Sequence, residues 1–576
     1  MSESSRDRLW IVVVGACVLL TQLGATTFWD EDETLYAEIV REMIERSDWT
    51  VPLYNGQLVT DKPPMVYWLM IAGIRTLGES ELAARLAFAL LGIATALLTY
   101  DLGTLLYNRR AGMWAAIALV SNIIFDVSAR ACTPDSPLVF FTVAALWCYV
   151  RGGGLMGAPL RPATAVAMYG CMGLGMLTKG PVAFVLPVGL LMLFHLLRAK
   201  PSPLVGEGVS AATADEPGEG MRRFSPRRLW QVGWSLRPIT AIIVITVVAA
   251  PWFIAVGLRT DGQWLTSFFV EHNAMRFLKP NMGHKGPIFY HPLTIMIGFF
   301  PWSVFLPLAL VALGTRIVRG DAWAASDKFV ACWAGAYIVF FSLSKTKLPN
   351  YVLPAYPALA LMTGALIDGW LRQAVEVAGR WITIALASTA LVGAGATVVL
   401  GIGGLWFIGG DYRIGMIGVA PALGGAIAWW LHRQQRRQAS LAAFGVAAVL
   451  FVMIGFGVVG PIVNQYHNAP TMVAEWREKV APDTRLVAYC DLCPSQVYYA
   501  GREVPCFRDS EQVRQFFASS PDSFLLVRSN RYSEVASVLP DDMRVIDRRA
   551  RFLKKGEFLL LGRPETLVAS AGRTDR

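Results

Sequence analysis

The chain has 576 residues, 54% of them hydrophobic and only 16% charged, with a mean hydropathy of +0.45. Such a composition excludes a soluble enzyme, a disulfide-stapled secreted scaffold and a disordered chain, and leaves a polytopic membrane protein. The 52 Lys and Arg against 42 Asp and Glu give a net charge of +10, which here first reports which loops stay in the cytoplasm.

Met1 to Phe28 has a charged start and an apolar run without a convincing small-residue cleavage site, so 9–28 reads as a retained first span and not a signal peptide. A long polar stretch, 29–80, follows. Within it Pro63 to Leu77 is apolar but short, and is expected to lie along the membrane interface. Apolar stretches at 81–106, 111–128, 137–150, 163–178, 181–198, 238–257, 291–314, 329–344, 352–371, 381–408, 414–431 and 441–463 bring the expected spans to thirteen.

With the N-terminus inside, the inner connections carry Arg109 and Arg110, Arg151 and Arg161, Arg222, Arg223, Arg227 and Arg228, Arg316 and Arg319, Arg372 and Arg380, then Arg433, Arg436 and Arg437. Every inner loop is then basic, and the alternation fails if Pro63 to Leu77 crosses. Residues 201–220, rich in Pro, Gly, Ser and Ala, read as a cytoplasmic linker. No internal repeat of the transporter kind is visible.

An odd number of spans puts 464–576 outside, which in a bacterium is the periplasm. Strand-like runs beginning at Leu486, Phe524, Met543 and Glu557 alternate there with helical patterns at Met472 to Val480 and Ser510 to Phe517. The expected organisation is therefore a transmembrane domain, 1–463, with a large first periplasmic loop, 29–80, and a small periplasmic α/β domain, 464–576. Of the eight cysteines, Cys490, Cys493 and Cys506 fall in this outer region, where one disulfide is chemically open to them. A single Cys-x-x-Cys with no second establishes neither zinc nor redox chemistry.

The outward loops hold what the inward ones lack. Asp30, Glu31, Asp32 and Glu33 stand in a row at the end of the first span, a cluster that repels itself unless cations, a metal or a substrate offset it. The plainer alternative is a solvated helix N-terminus with acids on the favourable end of the dipole. Basic residues then recur on the same side: Lys62, Lys179, Arg276, Lys345 and Lys347. Any one of them reads as a snorkelling anchor. Together, on the face that should be poor in basic residues, they point to an anionic ligand held at the membrane surface, such as phosphate on a lipid carrier.

Asp32-Glu33 with Tyr36-Ala37-Glu38, then Trp49-Thr50-Val51-Pro52, Asn55-Gly56, Asp61-Lys62-Pro63-Pro64, Tyr67-Trp68, Thr178-Lys179-Gly180-Pro181, Glu271-His272, Arg276-Phe277, Pro301-Trp302, Lys347-Leu348-Pro349 and Tyr351 come in one order on one expected face. This series resembles the bacterial aminoarabinose transferase group of the protein O-mannosyltransferase superfamily. The resemblance implies a GT-C fold and an inverting glycosyltransferase of the inner membrane. Such an enzyme moves a sugar, 4-amino-4-deoxy-L-arabinose or a related pentose or uronic sugar, from a polyprenyl phosphate donor to lipid A or another envelope acceptor at the periplasmic face. It maps the catalytic carboxylate to Asp32 and the phosphate or sugar contacts to Tyr36, Lys62, Arg276 and Lys347, with Asp135 as a second acid. Glu33, Lys179 and Tyr351 complete the expected substrate-binding set. Where that group usually has Arg, this chain has Leu35.

Members of the wider fold use a divalent ion, and Asp61 with His272 are the candidate ligands for one such as zinc, although the spacing of the loop histidines matches no metal-site signature. The expected partners are the lipid-linked donor, the acceptor and membrane lipids around a monomeric chain, with no nucleic acid. Two rival readings are a transporter or flippase of an anionic lipid-linked sugar, which would spread ionisable residues to mid-membrane and both sides, and a transferase acting on protein or another glycan.

Overall fold

The computed structural model describes residues 2–29, 32–156, 160–198, 225–275, 286–374, 379–481, 484–490, 492–552 and 555–567. Asp30, Glu31, Arg276, His284 and the linker 201–220 lie outside the described residues.

The chain opens with helix α1 (Glu3–Leu19), followed by α2 (Asp32–Glu45), a hairpin of β1 (Leu53–Tyr54) and β2 (Gln57–Leu58), α3 (Met65–Leu77) and α4 (Glu81–Leu106). With 13 residues, α3 is about 20 Å long, too short for a hydrocarbon core of about 30 Å. It packs instead against α2 in a cluster that includes Tyr36, Val40, Met43, Val66, Tyr67 and Met70. Among the described residues eight helices are long and apolar enough to cross a membrane, or nine if Arg109–Leu119 and Ile123–Arg130, bent by 67°, count as one. Several segments read as single spans are divided: 291–314, for example, is Tyr290–Gly298, a 3₁₀ turn at Trp302–Phe305 and Leu306–Arg319.

Two buried arginines bind the C-terminal end of α1 and the segment that follows it. The last carbonyls of a helix have no intrahelical partner and carry negative partial charge. Arg130 donates to the carbonyls of Val18 (2.8 Å), Leu19 (2.9 Å) and Thr21 (2.7 Å), and Arg85 to those of Leu23 (3.1 Å), Thr26 (2.8 Å) and Thr27 (3.0 Å).

At the other end of the chain, a five-stranded sheet has the order β4-β3-β5-β7-β6, with β3 (Leu486–Tyr489), β4 (Cys506–Phe507), β5 (Phe524–Arg528), β6 (Arg544–Ala550) and β7 (Glu557–Gly562). The pairings of β3 with β4 and β5 are parallel, and those of β7 with β5 and β6 antiparallel. Alternate strand residues feed opposite faces: Leu486, Ala488, Phe524 and Leu526 meet Val473 and Trp476 of the Asn468–Lys479 helix, while Val487, Leu525 and Val527 meet Val513 and Phe517 of Ser510–Ser519. Both faces are covered, which is why these strands read as continuous apolar runs. Among the described residues Cys490, Cys493 and Cys506 form no disulfide.

Candidate active site

Helix α2 starts at Asp32 and buries Tyr36, Ile39, Val40 and Met43. The rings of Tyr36 and Tyr67 meet edge-on at 5.9 Å, fixing α2 on α3. Residues one helical turn apart share a face, so Asp32 and Tyr36 open onto the same cavity of about 430 Å³. Asp61, Lys62, Asp135, Lys179, His272 and Tyr351 line it too, together with an apolar portion built from Val182, Val185, Leu186, Phe268, Phe340 and Leu348. The turn at Gly180, with φ +80, brings Lys179 to the rim, and a Cβ there would meet the Phe268 ring at 2.6 Å.

Two of the three cavity aspartates are held by ammonium groups. Lys62 Nζ lies 2.5 Å from Asp61 Oδ2, and His272 Nδ1 3.4 Å from Asp61 Oδ1. Lys179 Nζ lies 2.5 Å from Asp135 Oδ1, Asn350 donates to Asp135 Oδ2 at 2.9 Å, and the Lys179 ammonium stands 5.3 Å above the Tyr351 ring. Asp32 differs: no hydrogen bond or ion pair reaches its carboxyl from any described residue. Asp32 is exposed and opens onto the cavity, and partial desolvation of its carboxyl there raises it above the usual aspartate range. Lys62 opposes the rise, while the negative charges of Asp135 and Asp61 add to it.

The structure therefore brings Asp32, Tyr36, Lys62, Asp135, Lys179 and Tyr351 together with the candidate metal pair Asp61 and His272. Two expected substrate contacts are placed elsewhere. Glu33, adjacent to Asp32, points away from the cavity and is buried in an ion pair with Arg85. Burial alone would raise its carboxyl, but Arg85 and the backbone N–H groups of Cys132 and Trp29 hold it below the usual glutamate range. Lys347 is 5% exposed and donates to the carbonyls of Ser342 (2.7 Å) and Ser344 (2.9 Å), so its ammonium braces the turn behind the cavity. Burial, and then Lys345, depress its pKa.

For a divalent ion, Asp61 and His272 supply two donors, but Lys62 already occupies one Asp61 oxygen. Among the described residues no group of three or more His, Cys, Asp or Glu is arranged to hold a metal. Among the described residues Asp61 and His272 thus do not complete a metal site. Asn350, which orients Asp135, and Arg85, which orients Glu33, were missed in the sequence. Arg85 had a signal, as a charge near the start of an apolar span; Asn350 had none beyond its place after Pro349.

A family model described as dolichyl-phosphate-mannose-protein mannosyltransferase matches residues 9–260. An undecaprenyl phosphate-alpha-4-amino-4-deoxy-L-arabinose arabinosyl transferase of Pectobacterium carotovorum is 30% identical over 403 residues, 68% of this chain and 65% of the relative. That of Pectobacterium atrosepticum is 31% identical over 384 residues, 65% of this chain and 62% of the relative. This chain thus spans a little under two thirds of the length of these curated relatives. The crystal structure of ArnT from Cupriavidus metallidurans in the apo state superposes with a TM-score of 0.78 at 21% identity, over 99% of this chain and 100% of that one. The chain is similar in sequence to these aminoarabinose transferases and shares the fold of ArnT. The ArnT structure bound to undecaprenyl phosphate gives a TM-score of 0.76 at 21% identity over the same shares. An archaeal oligosaccharyltransferase from Archaeoglobus fulgidus gives 0.53 at 14% identity, covering 93% of this chain and 71% of that one.

Proposed function

We propose that this aminoarabinose transferase-like chain is an inverting, polyprenyl-phosphate-dependent glycosyltransferase. It transfers 4-amino-4-deoxy-L-arabinose, or a related pentose or uronic sugar, to lipid A or another envelope acceptor. The observation that carries the reading is one cavity in which Asp32, without a partner among the described residues, faces two lysine ammoniums beside an apolar wall. The similarity to arabinosyl transferases, and the undecaprenyl phosphate that the related ArnT binds, supply the donor class. The thirteen crossings, the inner-membrane location with the cavity toward the periplasm, and the division into 1–463 and 464–576 belong to the same proposal, supported by the basic inner loops.

In this mechanism the acceptor oxygen attacks the anomeric carbon from the side opposite the phosphate. The bond from that carbon to the phosphate oxygen breaks, and its electron pair leaves with the phosphate. Lys62 and Lys179 stabilise the leaving anion electrostatically, where low dielectric makes such contacts strong. For a hydroxyl acceptor, Asp32 takes the proton; for a phosphate acceptor no base is needed and Asp32 orients the donor. The apolar wall takes the first part of the lipid chain. Leu35 packs on the apolar cluster around Tyr36 and adds no charge to the site, so the sugar's polar groups must be met by other residues.

Mass spectrometry of lipid A and surface glycans from cells with and without the chain tests the proposal. A sugar lost from lipid A, or from another envelope glycan, on deletion is the expected result; unchanged glycans with a polyprenyl-phosphate sugar displaced across the membrane would favour a transporter.

A further inference from the structure

The C-terminal unit grips the few residues that lead into Asp32. Phe28 N donates to the Tyr499 hydroxyl at 3.0 Å, and that hydroxyl donates to Glu81 Oε1 at 2.9 Å, so one side chain of the outer unit joins the chain entering α2 to the start of α4. Thr27 Oγ1 donates to Asn464 Oδ1 at 2.8 Å. The Trp29 ring stacks on His467 at 6.1 Å and 17°, and meets Phe552 edge-on at 5.9 Å. A fourth contact secures the β1–β2 hairpin: Asn55 and Val504 exchange two hydrogen bonds, of 2.9 and 2.8 Å.

On the other side of Asp32 the chain is fixed again, because Trp29 N donates to Glu33 Oε2 at 3.1 Å and Glu33 is held by Arg85 at 2.6 Å. Asp32 therefore opens α2 between two anchored neighbours, Trp29 held by the C-terminal unit and Glu33 held by Arg85. Its carboxyl has no partner among the described residues, so its position is inherited from the backbone. Small displacements of a reacting group lower rates steeply, by about 100-fold for 1 Å.

We propose that the C-terminal unit is a positioning clamp for Asp32, acting through Tyr499 and Trp29. The inference rests on Asp32 as the catalytic carboxylate and assigns a task to a unit that shares no residue with the cavity lining. Tyr499→Phe removes the hydroxyl and keeps the ring. Trp29→Ala removes the stack on His467, and Trp29→Phe restores an aromatic face.

Hydrogen exchange of the full-length protein in detergent, followed over residues 29–38, should accelerate about tenfold in Tyr499→Phe and Trp29→Ala, with Trp29→Phe close to wild type. Sugar transfer should fall about tenfold in kcat while the donor KM stays within about twofold, since the donor's own contacts are untouched. A merely structural contact would leave that split absent. Wild-type exchange and kcat in Tyr499→Phe, with Asp32→Asn inactive, would overturn the clamp alone. An Asp32→Asn enzyme with wild-type turnover would overturn the catalytic assignment and the clamp with it.

Discussion

Glu33 and Arg85 form a two-armed ion pair, Nε to Oε1 at 2.9 Å and Nη2 to Oε2 at 2.6 Å, with both side chains about 5% exposed or less. The remaining Glu33 capacity is used by the N–H groups of Cys132 (3.0 Å) and Trp29 (3.1 Å). One carboxylate thus ties together α2, α4 and the start of the segment leading to Asp135. Two adjacent acids, Asp32 and Glu33, have opposite duties because successive helical residues point about 100° apart.

Glu33→Gln should therefore destabilise the fold. Removing one partner of a buried pair leaves the other charge uncompensated, at a cost of about 3 to 5 kcal/mol. Thermal unfolding in detergent measures it. A Glu33→Gln protein as stable as wild type would show that the Arg85 guanidinium is satisfied by the carbonyls of Leu23, Thr26 and Thr27 alone.

Asp32→Asn should do the reverse, abolishing transfer while leaving stability near wild type, because the carboxyl has no partner among the described residues to lose. The pH profile follows from the raised Asp32 carboxyl. A base works when deprotonated, so with a hydroxyl acceptor activity is full above its pKa and falls as pH drops through it. The raised pKa makes that fall begin at higher pH than for an ordinary aspartate. Asp61 raises the Asp32 pKa, so Asp61→Asn should move the acid limb to lower pH. A limb that stays in place in Asp61→Asn would assign it to another group.

Lys62 and Lys347 were alike in the sequence, each a lysine near a proline at a span end. In the structure Lys62 lines the cavity, while Lys347 is spent on two carbonyls. Lys62→Gln should cost about 1.5 to 3 kcal/mol in donor recognition, roughly ten- to hundredfold in kcat/KM for the donor. Lys347→Gln should instead lower thermal stability and leave donor KM nearly unchanged. Donor titrations on both variants decide, and equal losses of donor affinity would return Lys347 to the phosphate.

Legibility in the sequence tracked range. The Asp32 and Tyr36 pairing depends only on helical spacing, and the Lys179 corner only on a span ending before Gly180-Pro181, so both were readable from local pattern. Glu33 was not, because its partner lies 52 positions away and nothing local distinguishes a carboxylate facing Arg85 from one facing a substrate. The 67° bend after Leu119 falls inside 111–128, where apolar residues on both sides of Ser121-Asn122 make one stretch of the pattern, and Asn122 caps the second helix by accepting from Phe125 N at 3.1 Å.

The orientation of the whole site rests on the inner arginines, and two exposed positions test it. Gln57 lies on the β1–β2 hairpin of the first loop, and Gln434 follows the Val419–Arg433 helix on the side carrying Arg433, Arg436 and Arg437. Gln434 is preferable to its neighbour Gln435, whose φ of +60 would strain a substituted residue. Single cysteines at each position belong in a background without native cysteines, since Cys17 and Cys506 are exposed. A maleimide that cannot cross the inner membrane should label Gln57→Cys in intact spheroplasts and reach Gln434→Cys only after permeabilisation. The positive-inside rule predicts that pattern from charge alone. The reverse pattern would put Asp32 and both cavity lysines in the cytoplasm, where a periplasmic sugar transfer could not occur.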